Sequence, residues 1–380
     1  MHILLVTTSY PESQSGSEAA GGFVGEFARQ LAGHARVTVV AAAGGGSSIR
    51  EEGPLQVRRF GVKRWPLSLL NPVNPLDWWP IWSTLRNGMR AVREVVETDR
   101  PDYILALWAL PSGHWARRML QEFGVPYGIW ALGSDIWSLG RVPVLRSYLR
   151  RVLADAEHRY ADGLQLGNDV ERIGGAACEF LPSARRLVAR RQRALAGSPP
   201  YRLAFLGRWH PNKGVDLFLD ALSQLSDDDW GRISEVRVRG GGPLEAEVRQ
   251  AIDVLQSRGR PVDVGGYLDA DEAIDLFTWT DYLVLPSRVE SIPVIFSDAA
   301  QLRRPLIATP VGDLPRLFEQ HEFGVLAQAA TADAIAAALR EALDTPASRF
   351  SAQLEALARQ FDIEVVAGEF AGRVAALGDT

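Results

Sequence analysis

The sequence is poor in cysteine and lysine and has no long apolar run. Its 380 residues include one cysteine, Cys178, and two lysines, Lys63 and Lys213; arginine supplies the rest of the positive charge. A single cysteine excludes an internal disulfide and is typical of a reducing compartment. No apolar run approaches the ~18 residues of a membrane-spanning helix.

Charge and the amino-terminal residues exclude further classes. The formal net charge of −5 argues against a nucleic-acid partner, which would need a basic surface. Residues 1–8 hold one short apolar run without a basic leader, so we interpret them as a first strand and not as a signal peptide. Because that strand leads into Thr-Thr-Ser-Tyr-Pro and not into Gly-x-Gly-x-x-Gly, a dinucleotide oxidoreductase is disfavoured. We therefore expect a cytoplasmic protein.

Short apolar runs alternate with segments of helical spacing, which predicts α/β architecture with parallel sheets. The predicted strands are residues 3–7, 36–42, 103–107, 127–132, 163–166, 203–206, 236–239 and 282–285. The length suggests two domains, 1–197 and 198–362, joined by a Pro- and Gly-rich linker at 194–200. A last helix is predicted within 363–380.

The stretch Gly-Arg-Trp-His-Pro-Asn-Lys-Gly at 207–214 places two cations between a predicted strand and a helix. Backbone N–H groups at a strand-to-helix turn favour an anion, and Arg208 and Lys213 add full charges there. The sequence therefore predicts a phosphate site on this loop.

A second motif supplies two carboxylates after the strand at 282–285. Glu290 and Asp298 are separated by seven residues. If Pro293 opens a helix, Asp298 lies in its second turn and Glu290 on the preceding loop. One acid can then meet a sugar and the other a ribose.

Together these motifs resemble the retaining nucleotide-sugar glycosyltransferases of family four. The same resemblance extends over almost the whole chain, through Arg-Gly-Gly-Gly-Pro-Leu at 239–244, Gly-Gly-Tyr at 265–267, Pro-Leu-Ile-Ala-Thr-Pro-Val-Gly at 305–312, Trp-Ala-Leu-Pro-Ser-Gly at 108–113 and Gly-Ser-Asp-Ile-Trp at 133–137. It implies the GT-B fold: two facing Rossmann-like domains with parallel sheets and a deep interdomain cleft. It also implies that the helix in 363–380 crosses back onto the first domain, although a helix packed on its own domain fits the pattern too.

The resemblance assigns roles to individual residues. Arg208 and Lys213 would stabilise the leaving diphosphate, Glu290 would orient the donor sugar, and Asp298 would hold the ribose; the family usually has Glu at that last position. Further donor contacts are implied for Gly21, Gly22, Gly207, Gly241, Tyr267, Leu268, Ser291, Ile292, Pro293, Val294 and Ile295.

The acceptor side departs from the family pattern. Histidines that the family often has are replaced by Leu105, Leu107 and Leu132. Asp135 stays a candidate on the acceptor side, and His114 could supply a replacement imidazole, although a single histidine is more often structural.

Asp-Ala-Asp at 269–271 matches the Asp-x-Asp motif of metal-dependent glycosyltransferases. It precedes apolar residues at helical spacing, however, and is better explained as a helix N-cap pair, so no essential metal is predicted. Residues 58–82 combine arginine and lysine with tryptophans. That composition suits a peripheral contact at the inner face of the cell membrane. The alternatives, which together are favoured over it, are that these residues cover the core of the first domain or shape an acceptor groove.

The sequence thus predicts a retaining, metal-independent hexosyltransferase of bacterial glycan biosynthesis. Its donor would be a nucleotide-diphosphate sugar, UDP or GDP being favoured, without another cofactor; its acceptor would be a glycan, a lipid-linked saccharide or a small molecule. A same-fold epimerase, a phosphorolytic enzyme and a non-catalytic sugar-nucleotide-binding scaffold remain alternatives.

Overall fold

A computed structural model of the chain describes residues 1–11, 21–64, 67, 70, 74–184, 186–187, 193–290 and 292–379. Its contacts divide the chain into two compact units. Unit 1 consists of Met1–Arg185 and Ile363–Thr380, and unit 2 consists of Arg186–Asp362.

Unit 1 is built on a sheet whose described strands number eight, in the order β3-β4-β2-β1-β5-β6-β7-β8. All neighbours are parallel except the antiparallel pair β3 and β4. The strands are β1 His2–Thr7, β2 Arg36–Ala43, β3 Ser48–Glu52, β4 Leu55–Gly61, β5 Tyr103–Leu107, β6 Tyr127–Ala131, β7 His158–Ala161 and β8 Glu179–Phe180.

The helices of unit 1 cover both faces of this sheet. They are α1 Gly22–Leu31, α2 Trp78–Thr98, α3 Ser112–Phe123, α4 Ser134–Trp137, α5 Pro143–Ala154, α6 Leu164–Gly174 and, from the carboxyl-terminal segment, α15 Ile363–Ala376. One core joins the sheet to α2, α3, α5 and α6, and the other joins it to α1 and α15. In the second core the ring of Phe370 on α15 lies 5.6 Å from that of Phe27 on α1.

Unit 2 has a sheet of six described strands in the order β11-β10-β9-β12-β13-β14, all parallel. The strands are β9 Tyr201–Arg208, β10 Ile233–Gly241, β11 Val262–Gly265, β12 Tyr282–Leu285, β13 Leu306–Ala308 and β14 Gly324–Leu326. The helices are α7 Val215–Ser223, α8 Asp227–Gly231, α9 Glu245–Ser257, α10 Ala270–Trp279, α11 Val294–Gln301, α12 Leu314–Gln320, α13 Ala332–Asp344 and α14 Ser351–Gln360.

One predicted strand is wrong, and the others are present. Residues 163–166 do not form a strand: β7 ends at Ala161, and α6 begins at Leu164. Leu166, Val170 and Ile173 are all buried, which is the three-to-four-residue spacing of a helix. Two leucines one residue apart fit a strand as well as a helix, so the short window was ambiguous.

The chain enters unit 2 at Arg186, before the Pro- and Gly-rich segment at which the sequence placed the boundary. Asp281 explains why Arg193 and Ala196 pack on unit 2, since its carboxylate is fully buried and needs donors. The Ala196 N–H donates to Asp281 Oδ1 over 3.3 Å, and Arg193 Nη1 lies 3.3 Å from the same oxygen.

No helix among the described residues has the length and apolar character needed to cross a membrane.

Candidate active site

The strand order of unit 2 reverses beside β9, which lies between β10 and β12. In open parallel sheets a ligand binds at the carboxyl ends of the strands, where two neighbouring connections leave toward opposite faces. The loop from β9 to α7 carries Lys213, and the loop from β12 to α11 carries Glu290. Both sequence motifs therefore come together at the switch point of this sheet.

Lys213 and Glu290 form a direct ion pair between Nζ and Oε1. The Lys213 side chain is 37% exposed and that of Glu290 13%, so the pair lies at the surface with one side open to solvent. The Ser287 hydroxyl also donates to Glu290 Oε1, over 3.3 Å. This contact fixes one carboxylate oxygen beside the ammonium group.

A second ion pair clamps the same two loops together. Arg288 donates from Nη1 and Nη2 to the two oxygens of Asp216, over 2.9 and 2.6 Å. Its backbone N–H also donates to the Asn212 carbonyl over 2.8 Å. Burial would raise the pKa of Asp216, but the hydrogen bonds and charge of Arg288, with helix N–H donors, hold that pKa below its ordinary value. The bidentate pair thus keeps the Glu290 loop against the Lys213 loop.

Gly214 lets the two loops approach closely. It has φ +68°, and a Cβ built on it would lie 1.8 Å from the Pro286 carbonyl oxygen. Only glycine fits both that backbone conformation and that distance.

The end of β10 forms the neighbouring wall. Gly240 has φ +144°, and a Cβ there would meet the Gly207 carbonyl oxygen at 1.9 Å. The buried Trp209 donates its backbone N–H to the Gly241 carbonyl over 2.8 Å, and the exposed Tyr267 donates its hydroxyl to the same oxygen over 2.6 Å.

Arg208 ends β9 with an exposed side chain that forms no ion pair with any described residue. It is paired in the sheet with Gly241. Leu268 follows Tyr267 as a half-buried residue. The predicted contacts at 207, 208, 241, 267 and 268 therefore lie on two adjacent strand ends and the loop after β11.

Helix α11 begins at Val294 with Pro293 as its N-cap, so Asp298 occupies the second turn and Glu290 the loop before it. Asp298 is 1% exposed. Ile292 and Ile295 are half-buried and Val294 is exposed. Ser291 lies outside the described residues.

In unit 1, Gly21 is the N-cap of α1 and Gly22 its first residue. A Cβ on Gly21 would lie 3.1 Å from the backbone nitrogen of Tyr10, whereas one on Gly22 would meet nothing within 4 Å. The start of α1 is therefore held close to the chain that leaves β1.

Asp135 is buried and acts within the loops of unit 1. Its Oδ2 accepts the Ala109 N–H over 2.6 Å and its Oδ1 accepts the Leu132 N–H over 3.3 Å. Burial raises the pKa of this carboxyl, and the hydrogen bonds from the backbone oppose that rise. It ties the loop after β5 to the loop after β6. In the loop after β5, Trp108 adopts a left-handed φ of 66°.

His114 lies in the first turn of α3, and its Nδ1 is hydrogen-bonded to the Tyr148 hydroxyl on α5. Burial lowers the pKa of His114, and the charges of Arg118 and Arg117 lower it further. The imidazole is therefore neutral at pH 7.

The Asp-Ala-Asp sequence at 269–271 begins α10. Asp269 caps the helix, accepting the Glu272 N–H over 2.9 Å, and Glu272 returns the bond to the Asp269 N–H over 2.9 Å. The N-cap prediction is right for Asp269, but its partner is Glu272 and not Asp271. In the part of the chain that the structure describes, no three His, Cys, Asp or Glu side chains are grouped to hold a metal ion.

The sequence interpretation missed the clamp. Arg288 stands two residues before Glu290 and Asp216 three residues after Lys213, but nothing in one sequence shows that they pair. Ser287 was missed for the same reason. Their nearness to the motif residues was the one available signal.

The segment that carries these two loops is similar to a known protein family. Residues 200–345 match the profile of the family described as "Glycosyl transferases group 1". That range contains β9, β12, both loops and the clamp. The match to this family therefore covers the part of the chain that holds the candidate site, which is less than half of the 380 residues.

Curated relatives of this chain are glycosyltransferases by name. The chain is 28% identical over 254 residues to the putative teichuronic acid biosynthesis glycosyltransferase TuaC of Bacillus subtilis, covering 63% of this chain and 60% of TuaC. It is 24% identical over 367 residues to the GDP-mannose-dependent alpha-(1-6)-phosphatidylinositol monomannoside mannosyltransferase of Mycobacterium tuberculosis, covering 90% and 89%. The chain spans only part of three curated relatives, one of which is TuaC. The matched share of their own length is 42–66%.

Solved structures confirm the predicted GT-B fold. Sucrose-phosphate synthase from Thermosynechococcus elongatus matches with a TM-score of 0.73 at 18% identity, covering 100% of this chain and 99% of that one. Anabaena HepE in complex with UDP matches with a TM-score of 0.71 at 16% identity, covering 99% and 100%.

Proposed function

We propose that this chain is a glycosyltransferase of the group 1 type, and that it acts as a retaining, metal-independent hexosyltransferase of bacterial glycan biosynthesis. It would take a hexose from a nucleotide-diphosphate sugar and place it on a saccharide, lipid-linked or small-molecule acceptor. The observation that carries the proposal is the pairing of Lys213 with Glu290 at the switch point of the unit 2 sheet. A cation for phosphate and a carboxylate for sugar hydroxyls stand side by side where this fold binds ligands.

The proposed reaction breaks the bond between the anomeric carbon and the diphosphate oxygen, and the acceptor oxygen bonds to the same face of that carbon. The acceptor proton passes to the departing phosphate, so no separate protein base is required. The main obstacle is the negative charge that develops on the diphosphate. Arg208 and Lys213 are assigned to that charge, as fixed cations that need no rearrangement when it forms.

Glu290 is assigned to the donor sugar. Its Oε1 already accepts hydrogen bonds from Lys213 and Ser287. These two contacts hold the carboxylate in one orientation. Backbone amides of 292, 294 and 295, and of Ser291, are assigned to the sugar or phosphate. Pro293 has no N–H to give. The ribose contact proposed for Asp298 requires that one oxygen of this buried carboxylate faces the nucleotide.

UDP and GDP are the favoured donor nucleotides. HepE was solved with UDP, and the mycobacterial relative is named for GDP-mannose. Gly21 and Gly22 are proposed to face the diphosphate through the start of α1, and Tyr267 and Leu268 to meet the base. On the acceptor side, Asp135 is proposed to act by positioning the loops after β5 and β6, and His114 is proposed to contribute its neutral imidazole.

The test measures transfer and donor binding in the same variants. Thermal-shift screening against nucleoside diphosphates and their sugars identifies the donor, because a ligand raises apparent stability by mass action. With that donor, Lys213→Ala and Arg208→Ala are each expected to lower turnover about 10²- to 10³-fold while the fold persists.

Arg50→Ala is the matched control, because it removes an exposed cation on β3 of unit 1, outside both motif loops. Equal turnover of Lys213→Ala, Arg208→Ala and the parent protein would refute the catalytic role and favour a binding scaffold. Mass spectrometry of the products separates transfer from epimerisation and phosphorolysis. An inverted anomeric configuration, read by NMR coupling constants, would contradict retention.

A further inference from the structure

One layer of unit 1 helices begins at a single edge of the sheet. Helices α2, α3, α5 and α6 pack side by side in that order on one face and share one core. Each follows the carboxyl end of a parallel strand, so their amino ends lie along the same edge. With 21 residues, α2 is about 32 Å long, whereas five-residue β5 is about 17 Å. The buried positions of α2 begin only at Ser83, so its first turn projects beyond the core.

Large apolar side chains are concentrated at this edge. Six are exposed there, on the short turn before α2, on the first two turns of α2 and at the start of α5. They are Leu76 at 83%, Trp78 at 59%, Trp79 at 63%, Trp82 at 48%, Val142 at 42% and Val144 at 79%, and we call them the apolar rim. Among the described residues of unit 1, only Met1, Ile49 and Val365 are exposed large apolar residues elsewhere. The concentration at one edge is more than the scattered exposure of single apolar residues on an ordinary surface.

The segments that carry the apolar rim are also rich in positive charge. Their exposed cations, which we call the basic rim, are Lys63, Arg64, Arg86, Arg90, Arg141, Arg146 and Arg150. Across residues 62–90 and 136–154 the sequence has one acid, Asp77, and that carboxylate is buried against Arg64. The Arg86 guanidinium lies 5.3 Å from the centre of the Trp82 ring, itself stacked on Trp79. The edge is therefore cationic in a chain of net charge −5.

A shallow pocket lies at the α5 end of the basic rim. Arg141, Arg146 and Arg172 line it together with Asp169 and Trp137. Asp169 already accepts from Arg172 over 2.6 Å and from the Trp137 ring N–H over 2.9 Å. The other two guanidiniums form no ion pair with a described residue, so they can bind an anionic group at this place.

We propose that the apolar and basic rims together dock unit 1 on an anionic lipid surface. Tryptophans enter the headgroup layer, where an amphipathic ring has both apolar and polar neighbours, and the cations bind lipid phosphates. A second copy of the chain is the poorer occupant, because a two-fold interface would bring each cationic edge against its own image. The proposal goes beyond the transfer reaction, and it does not depend on the identity of donor or acceptor.

The experiment is flotation of the full chain with vesicles of phosphatidylcholine alone or mixed with phosphatidylglycerol. The parent protein is expected to float with the anionic vesicles and not with the neutral ones. Trp78→Ser with Trp79→Ser removes half of the apolar rim at α2, and Arg90→Glu with Arg146→Glu reverses one charge in each half of the basic rim. Each double variant is expected to lower the bound fraction about tenfold or more.

The matched control is Ile49→Ser with Arg50→Glu, which changes one exposed apolar and one exposed basic residue on β3. It is expected to float like the parent. Quenching of tryptophan fluorescence in the parent protein by brominated lipid gives a second readout that needs no variant. Unchanged thermal shift with the nucleoside diphosphate shows that the variants are folded and keeps this test separate from that of the transfer reaction.

Three results would overturn the docking surface. They are a parent protein that stays unbound and unquenched with anionic vesicles, rim variants that float as the parent does, and a control that loses binding as the rim variants do. A dimer that light scattering detects in the parent but not in the rim variants, without flotation, would assign the edge to a second copy and likewise refute the lipid proposal.

Discussion

At the scale of single residues, the candidate site depends on the few chemical groups that the chain uses sparingly. One of its two lysines is paired with Glu290, and the neighbouring Arg288 is engaged by Asp216. Both pairs join the β12–α11 loop to the connection after β9, where Lys213 lies on the loop and Asp216 in the first turn of α7, but they differ in geometry. The bidentate Arg288 contact is suited to holding the loops, whereas the Lys213 ammonium is a point charge that can exchange a carboxylate for a phosphate.

His114 gives a prediction about pH. Burial and two nearby arginines lower its folded pKa from 6.5, so the folded chain binds fewer protons than the unfolded chain at mildly acidic pH. Its stabilising contribution is complete above about pH 6.5 and is lost as pH falls through the folded pKa. His114→Gln is expected to flatten the fall in unfolding free energy below pH 6.5, by at most about 1.4 kcal/mol per pH unit.

Urea denaturation of the parent and the variant at several pH values checks this expectation. His34→Gln is the control, since it removes an exposed imidazole from the same unit. Parallel pH profiles for His114→Gln and the parent would contradict a depressed pKa at this residue. An NMR titration of the imidazole observes the same property directly.

At the scale of elements, the site exists because two strand-to-helix loops touch. The β9–α7 loop brings the cation and the β12–α11 loop brings the carboxylate, and the sheet places the two strands next to each other. The two backbones approach closely at Gly214, where an added Cβ would lie 1.8 Å from the Pro286 carbonyl oxygen.

Gly214→Ala should therefore disrupt both the fold and the site. The new Cβ meets a carbonyl oxygen at 1.8 Å on a backbone with φ +68°, so we expect a loss of about 2–4 kcal/mol in unfolding free energy. The separation of the loops should also reduce the stabilisation by the nucleoside diphosphate. Chemical denaturation with and without that ligand measures the two effects.

Gly266→Ala is the control, because a Cβ there meets nothing within 4 Å and the residue does not have a left-handed φ. It is expected to leave stability within about 1 kcal/mol of the parent. If the two alanine variants were equally stable, close approach of the loops would not be needed for this structure.

At the scale of the whole molecule, the chain builds two sheets and then returns to the first. Helix α15 belongs to unit 1, and its Val366, Phe370 and Val374 are buried beside α1 and the sheet. The last helix of the sequence therefore completes a core that the first strand began. Unit 1 cannot reach its full stability without the carboxyl-terminal segment.

Phe370→Ala tests that dependence. The ring is fully buried and has aromatic contacts with Phe27, Tyr103 and Tyr160, so its removal should cost unit 1 about 3–5 kcal/mol. Calorimetry with and without the nucleoside diphosphate shows which unit has lost stability. The ligand raises the unfolding temperature of the unit that binds it, so the transition of the other unit can be recognised. The exposed neighbour Val365→Ala should change little. A Phe370→Ala protein as stable as the parent would contradict a core role for α15.

Much of the fold could be read from the sequence because buried parallel strands are short continuous apolar runs. The strands at 103–107 and 282–285 were placed to the residue. The polar edge hairpin β3–β4 gave no such signal, since Arg50, Glu51 and Glu52 are charged. At 163–166 the window was too short to separate the two periodicities.

The sequence by itself determined the alternating architecture and the residue types of the candidate site, because spacing and chemical type are local properties of the chain. Only the tertiary structure decided that Lys213 meets Glu290, that Arg288 holds Asp216, and that Asp135 is tied to the backbone in the interior. It also brought the starts of α2 and α5 to one edge. Each of these contacts joins residues that the order of strands in a sheet makes neighbours, and strand order is not written in the spacing of side chains.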